Sequence, residues 1–157
     1  MQVNLAEAAD LLKRGKVVAI PTETVYGLAA DARNEDALRE IYAIKQRPAD
    51  NPLIVHIASS EQVLDWAETF SPLAQKLAKA FWPGPLTLVL PLVDGCALAP
   101  AVTAGGTSLA VRCPKGALGT LVRLLDSPLA APSANRSGHV SATSAAHVAD
   151  DLGGRIA

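Results

Sequence analysis

Apolar residues recur along this chain in two rhythms, a three-to-four-residue spacing and short unbroken runs, and the two alternate. The first helical rhythm is Leu5, Ala8, Ala9 and Leu12, behind Asn4, a side chain suited to cap it. Gly15 stops that helix, with Lys13 and Arg14 at its carboxyl end. The run 17–20 reads as a buried strand, and Pro21, which cannot donate to a ladder, ends it. Asn34 caps a second helix with Ala37, Ile41 and Ile44 on one face; it runs into Lys45-Gln46-Arg47 and stops before Pro48. A second buried strand is expected over 53–57, then a short helix capped by Ser59 or Ser60 and ending near Glu68. Ser71-Pro72 starts another helix, whose apolar face is Leu73, Leu77, Ala80 and Phe81.

Trp82-Pro83-Gly84-Pro85 is a rigid turn into a third strand over 86–93. After a connection containing Pro and Gly over 94–106, a fourth strand covers 108–111 and ends in Arg112. A helix over 115–125 turns Leu118, Leu121, Val122 and Leu125 inward. A short fifth strand, 129–131, delivers Pro132-Ser133-Ala134-Asn135. Thr143 caps the last helix, with Ala145, Val148 and Leu152 on one face, and Gly153-Gly154-Arg155-Ile156 reads as the approach to a further strand. Strands alternate with helices, yet helices also follow one another between 61 and 81. The pattern predicts an α/β fold, a twisted open mixed sheet with helices packed around it. No repeat, low-complexity tract or linker divides 1–157, so the chain reads as one domain.

Composition narrows this reading. With 157 residues, half of them hydrophobic and 18% charged, the chain can bury one sizeable core and is not a disordered segment. Aromatics are only 4%, which favours helices on a sheet over an all-β sandwich. The net charge of −1 supplies no global basic field for nucleic acid and leaves only a local patch open. Cys96 and Cys113 are far apart and form no Cys-x-x-Cys pair, so they read as small apolar residues rather than as a disulfide or zinc site. Residues 1–10 hold no basic-then-apolar leader, and no apolar run approaches the ~20 residues of a membrane helix. The expectation is a cytoplasmic protein with no membrane partner.

Candidate chemistry gathers where the apolar runs end. Pro21-Thr22-Glu23-Thr24-Val25-Tyr26-Gly27-Leu28 loads polar side chains onto a strand terminus, where α/β proteins place ligands; it also fits a polar turn with a capping Thr. Lys45 and Arg47, with Asn51 close by, would suit a polyphosphate, but on their own they fit better as two solvated charges at a helix carboxyl end, since such ends are commonly basic. Arg112 leaves an apolar strand and needs a ligand or a salt-bridge partner. Ser133 and Asn135 sit on a tight turn that could hold anionic oxygens or could be a simple Asx or Ser turn. His56 ends a strand near these groups, whereas His147 reads as surface. There is no phosphate-binding Gly-x-x-x-x-Gly-Lys-Ser/Thr loop, no Gly-x-Gly-x-x-Gly, no His-x-x-x-His and no Gly-x-Ser-x-Gly. From the residues alone, the chain is an α/β domain with a basic, hydroxyl-rich pocket for an anionic small molecule, and the reaction is undetermined.

Six segments in order go further: Pro21-Thr22-Glu23-Thr24-Val25-Tyr26-Gly27-Leu28, Lys45-Gln46-Arg47-Pro48, Asn51-Pro52-Leu53-Ile54-Val55-His56, Trp82-Pro83-Gly84-Pro85-Leu86-Thr87, Ala110-Val111-Arg112 and Ala131-Pro132-Ser133-Ala134-Asn135. Together they resemble the YrdC-like family, the threonylcarbamoyl-AMP synthases. The resemblance implies the YrdC-like fold with a concave, positively charged ligand face. It implies the joining of L-threonine, bicarbonate and ATP into L-threonylcarbamoyl-AMP with release of pyrophosphate, for N6-threonylcarbamoyladenosine in tRNA. It implies Mg²⁺ arriving with ATP, a downstream threonylcarbamoyl-transferase system, and tRNA or double-stranded RNA as a further partner.

The same resemblance assigns Lys45, Arg47, Ser133 and Asn135 to the ATP phosphates and the carboxylated intermediate, and Ser108 and Ser141 to further nucleotide contacts. It assigns Arg112 to the threonine carboxylate, and Thr22, His56 and the Ala131 backbone to the rest of the amino-acid pocket. No residue is assigned to a metal, and no protein nucleophile is required. Family members continue with at least one more strand and a closing loop, so the expectation is a chain shortened at its carboxyl end. Two rivals stand beside this reading. One is a non-catalytic RNA- or nucleotide-binding module. The other is the carbamoyl-transfer domain of hydrogenase-maturation enzymes, which are longer chains with cysteine sets that this sequence lacks.

Overall fold

The computed structural model describes residues 2–156; Met1 and Ala157, the two ends of the expected domain, lie outside the described residues. Six strands form one sheet: β1 (Val18–Pro21), β2 (Tyr26–Asp31), β3 (Ile54–His56), β4 (Thr87–Pro91), β5 (Ser108–Arg112) and β6 (Leu129–Ala130), in the order β1-β2-β6-β3-β5-β4. Only β3 and β5 run parallel; the other neighbours are antiparallel. The helices are α1 (Leu5–Lys13), α2 (Glu35–Lys45), α3 (Val63–Trp66), α4 (Pro72–Phe81), α5 (Pro100–Thr103), α6 (Gly116–Leu125) and α7 (Ala145–Leu152). None is long and apolar enough to cross a membrane among the described residues.

Local chemistry explains most of the boundaries. Asn4 accepts the Glu7 N–H while the Glu7 carboxylate accepts the Asn4 N–H, a reciprocal cap on α1. Asn34 caps α2, and Ser71 caps α4 ahead of Pro72. Pro21 is the last residue of β1, where its missing N–H costs no ladder bond.

The two sheet faces are covered differently. Directly paired residues share a face and alternate along each strand. One face, with Leu28, Ala30, Val55, Leu88, Leu90, Leu109 and Val111, packs on α2, α4 and α5 in the larger core. The other face carries a smaller core, in which Val18, Ile20, Ala29 and Leu129 meet Ala8, Ala9 and Leu12 of α1 and Leu118, Leu121 and Val122 of α6. That core stops at Leu129. Following the register outward, His56, Arg112 and Thr87 continue the same face, and so do Ile54, Ala110, Ser108, Val89 and Pro91. Apart from His56 these are half-buried or exposed, and Val89 is 68% exposed in mid-strand. Half of one sheet face is therefore left open.

Three expectations need correction. The sheet has six strands rather than five, because Tyr26–Asp31 folds back on β1 and the polar stretch is the tip of a hairpin. Leu73 and Phe81 are 68% and 56% exposed; α4 buries Ala74 and Ala78 instead, since small residues let it sit close to its neighbours. Ser144, not Thr143, caps α7, because its hydroxyl accepts the His147 N–H.

Candidate active site

The polar residues singled out in the sequence converge on the open face and its rim. β3 and β5 are parallel, so their first residues lie at one end and their last at the other. β6 runs against β3, and the residues that follow it return to the starting end of β3. Lys45, Arg47, Ser108, Ser133 and Asn135 therefore belong to one end, and His56 and Arg112 to the other. Ser108 and Arg112, four residues apart on β5, are separated by about 13 Å at ~3.3 Å per residue.

At the first end the solvated-charge reading of Lys45 is overturned. Its residue is 1% exposed, and Nζ donates to the Ser133 carbonyl and, at 2.6 Å, to the Asn135 carbonyl. Gln46 ends α2 in the left-handed conformation, φ 51°, so that Lys45 points inward while the chain turns away. Among the described residues no carboxylate forms a salt bridge with Lys45. Burial, reinforced by the nearby Arg47 cation, pushes its pKa down to about 8. Arg47 is half-buried, and its guanidinium donates to the Asn51 and Pro52 carbonyls at 3.2 and 2.7 Å, just before β3.

The turn after β6 is tied down from several sides. Ser133 bridges to Gly27, and the Ala134 N–H donates to the Tyr26 carbonyl. The Asn135 amide donates to the Arg136 and His139 carbonyls at 2.7 and 2.8 Å, which fixes the orientation of the side chain. Its Oδ1 is buried with no partner among the described residues, an acceptor that a ligand donor would satisfy. Asp151 of α7 accepts the Arg136 N–H at 2.6 Å and faces His139 Nδ1 at 2.8 Å, and these contacts hold its carboxyl below the usual range. Ser141 is half-buried next to Ala142, whose carbonyl accepts the Tyr26 N–H at 2.7 Å.

At the second end His56 is 2% exposed, with Nδ1 3.3 Å from the Leu129 carbonyl. A carbonyl can only accept, so Nδ1 carries the proton and Nε2 is the bare acceptor. Burial first, then the Arg112 cation, lowers the His56 pKa to about 4, so the ring is neutral at neutral pH. Arg112 donates through Nε to the Gly84 carbonyl at 2.9 Å and through Nη2 to Glu23 at 3.0 Å. Thr22 spends its hydroxyl proton on the Val25 carbonyl at 2.5 Å, and its oxygen accepts long bonds from the Thr24 and Val25 N–H groups at 3.3 Å, so toward a ligand it can act only as an acceptor that displaces one of these. Its methyl and the Ala131 Cβ both lie about van der Waals distance from where a Gly27 side chain would begin, at 3.4 and 3.5 Å.

The fold thus brings the residues singled out in the sequence to one open face, and sequence reasoning missed two features of it. It did not see that Lys45 is a buried tie between α2 and the 133–135 turn. It also passed over Glu23. The signal for Glu23 was present: a lone acid among hydroxyls, and a strand-ending arginine with no acid near it in sequence.

Comparison with known proteins places these features. A family model named for Sua5, YciO and YrdC, and described as telomere recombination, matches residues 10–157. A Bacillus subtilis protein named threonylcarbamoyl-AMP synthase is 54% identical over 98% of this chain, which spans 44% of that protein. A Vibrio vulnificus protein of the same name is 38% identical over 99% of this chain, which spans 84% of it. The crystal structure of Pyrococcus abyssi Sua5 complexed with L-threonine superposes with a TM-score of 0.91 at 49% identity, over all of this chain and 47% of that one. The chain thus spans about half the length of the Bacillus subtilis and Pyrococcus abyssi relatives and 84% of the Vibrio vulnificus one.

Proposed function

Because the chain belongs to the Sua5/YciO/YrdC family, we propose that it makes L-threonylcarbamoyl-AMP from L-threonine, bicarbonate and ATP, releasing pyrophosphate. The observation that carries this reading is the open sheet face with two unlike ends. One end has cations without an acid partner, Lys45 foremost, as a polyphosphate requires. The other has an arginine beside hydroxyl and imidazole acceptors, as a small hydroxy amino acid requires.

In this reading Arg112 takes the threonine carboxylate. The bare Nε2 of His56 or the Thr22 oxygen accepts the single proton of the threonine hydroxyl. The amine attacks the bicarbonate carbon and a C–O bond breaks with loss of water to give a carbamate; a carbamate oxygen then attacks the α-phosphorus as pyrophosphate leaves. The protein's share is positioning and charge neutralisation, with no covalent intermediate. Lys45 and Arg47 face the phosphates, the Ser133 side chain and the unpartnered Asn135 Oδ1 fix the nucleotide's orientation, and Ser108 and Ser141 add contacts to it. No cluster of three His, Cys, Asp or Glu side chains suited to a metal exists among the described residues. Mg²⁺ therefore fits as an ion carried on the nucleotide phosphates, where it would add charge neutralisation. The product would pass to a threonylcarbamoyl-transferase system acting on tRNA.

The test is pyrophosphate release from ATP with and without L-threonine and bicarbonate. Release that needs both is the expected result. ATP binding with no turnover under any condition would favour the nucleotide-binding module instead, and release that needs bicarbonate but not L-threonine would favour the carbamoyl-transfer reading.

A further inference from the structure

Glu23 is the one acid in the 21–28 stretch, and the reaction above gives it no part. Its backbone is exposed at the hairpin tip, yet its side chain is only 21% exposed. One oxygen, Oε1, accepts both the Arg112 Nη2 hydrogen bond at 3.0 Å and the Lys115 N–H at 2.8 Å. Arg112, 11% exposed, is held on its other side by the Gly84 carbonyl. The hairpin, rooted at the Gly27–Ser133 end of the sheet, thus reaches across the open face and fastens to the junction of β5 and α6.

We propose that Glu23 is a positioning residue for amino-acid binding: it fixes the Arg112 guanidinium and, through the same bonds, holds Thr22 over the pocket. This rests on the reading of Arg112 as the carboxylate contact. A guanidinium is a rigid planar fork, and bidentate capture of a carboxylate requires its plane to be set beforehand. The two recorded bonds use Nε and Nη2 and leave the Nη1 edge for a ligand. Glu23 also balances the Arg112 charge, so an amino acid is selected by the direction of the remaining donors more than by net attraction. Without Glu23 a poorly hydrated cation loses its partner and swings, and the Lys115 N–H loses its acceptor. Thr22, one residue before, would leave the pocket with the hairpin.

The experiment titrates L-threonine and ATP separately by calorimetry into the wild type, Glu23→Ala, Glu23→Gln, Arg112→Ala and the Glu23→Ala/Arg112→Ala double variant. Glu23→Ala should weaken L-threonine binding tenfold or more and leave ATP affinity within about twofold. Glu23→Gln keeps an oxygen acceptor in the same place and should recover most of the loss; it also guards against a hairpin that fails to form in the alanine variant. In the Arg112→Ala background, removing Glu23 should cost much less than in the wild type, because only its bond to the Lys115 N–H is left to lose. Unchanged L-threonine affinity in Glu23→Ala would overturn the inference, as would equal loss of ATP affinity or additive losses in the double variant. Tighter L-threonine binding in Glu23→Ala would show a carboxylate competing with the substrate, and would overturn it as well. If the wild type itself binds no L-threonine, the amino-acid reading fails at its root, an outcome distinct from all the others.

Discussion

Lys45 and Arg112 stand at opposite ends of one open sheet face, and each is a cation drawn mostly out of water. Their surroundings differ in kind. Arg112 is neutralised by Glu23, so its charge is spent inside the protein and its geometry is what remains to offer. Lys45 is held only by carbonyl oxygens, which orient it without cancelling its charge. A buried cation with no salt-bridge partner among the described residues, and only Asp151 acting on it from further off, keeps most of its field for a ligand and is costly to maintain, and its lowered pKa records that cost. The contrast suggests a division of labour, with one end built to attract and the other built to discriminate.

The strongest way to break this comparison is Lys45→Ala. Two carbonyls, of Ser133 and Asn135, lose their donor, and the 133–135 turn loses its tie to α2. A stability loss of about 1–3 kcal/mol by denaturant titration, with the domain still folded, is expected from the unsatisfied acceptors. ATP affinity should fall roughly a hundredfold, since a charge-assisted phosphate contact and its support go together. In the wild type the same contrast has a pH signature. ATP affinity should decline as pH rises through about 8, where Lys45 sheds its proton, while folding stability rises between 8 and 10.5 because the unfolded chain still binds that proton. ATP affinity flat from pH 7 to 9.5 would remove Lys45 from the phosphate end.

A smaller effect should follow at Arg47. Its bonds go to the loop before β3 and it is half-buried. Arg47→Ala should weaken ATP binding about tenfold, with a change in melting temperature much smaller than that of Lys45→Ala. Equal destabilisation by the two would erase the distinction between a tie and a contact.

The smallest test sharpens the other end. His56 has a folded-state pKa of about 4, against an ordinary value of 6.5. The unfolded chain therefore takes up a proton that the folded chain refuses as pH falls from 6.5 to 4. The stability gained by keeping His56 neutral is complete above 6.5 and is lost across that window. Comparing urea midpoints at pH 7 and pH 5 for the wild type and His56→Gln should show a steeper loss in the wild type. Parallel losses would mean that the acid sensitivity lies elsewhere.

Much of this was legible in the residues. Caps at Asn4, Asn34 and Ser71, the stop at Pro21 and the terminal position of Arg112 are local statements, and local chemistry decides them. β2 was hidden because Gly27, Ala29 and Ala30 carry little strand preference of their own; their pairing with β1 and β6 makes the strand. The rotation of α4 and the choice between Thr143 and Ser144 depend on close approach and on one hydrogen bond, which spacing does not encode. For Lys45 the sequence offered a helix end, and helix ends are commonly basic and wet. What draws it inward is a turn some 90 residues later, a relation visible only once the chain is folded.

That distance bears on how the molecule comes to be. β6 is only two residues long, yet it is the seam of the sheet, paired to β2 on one side and to β3 on the other. Until Leu129 and Ala130 arrive, the chain holds a hairpin, β1–β2, and a separate trio, β3–β5–β4, with two raw edges that have nothing to join them. During synthesis from the amino terminus, more than four-fifths of the described chain must emerge before the seam can close, and contacts spanning so much chain form slowly. The residues immediately after the seam are the ones that meet Lys45. If the proposed phosphate end is right, closure and competence to hold a nucleotide arrive together, and a nascent chain should bind ATP only after its sheet has zipped.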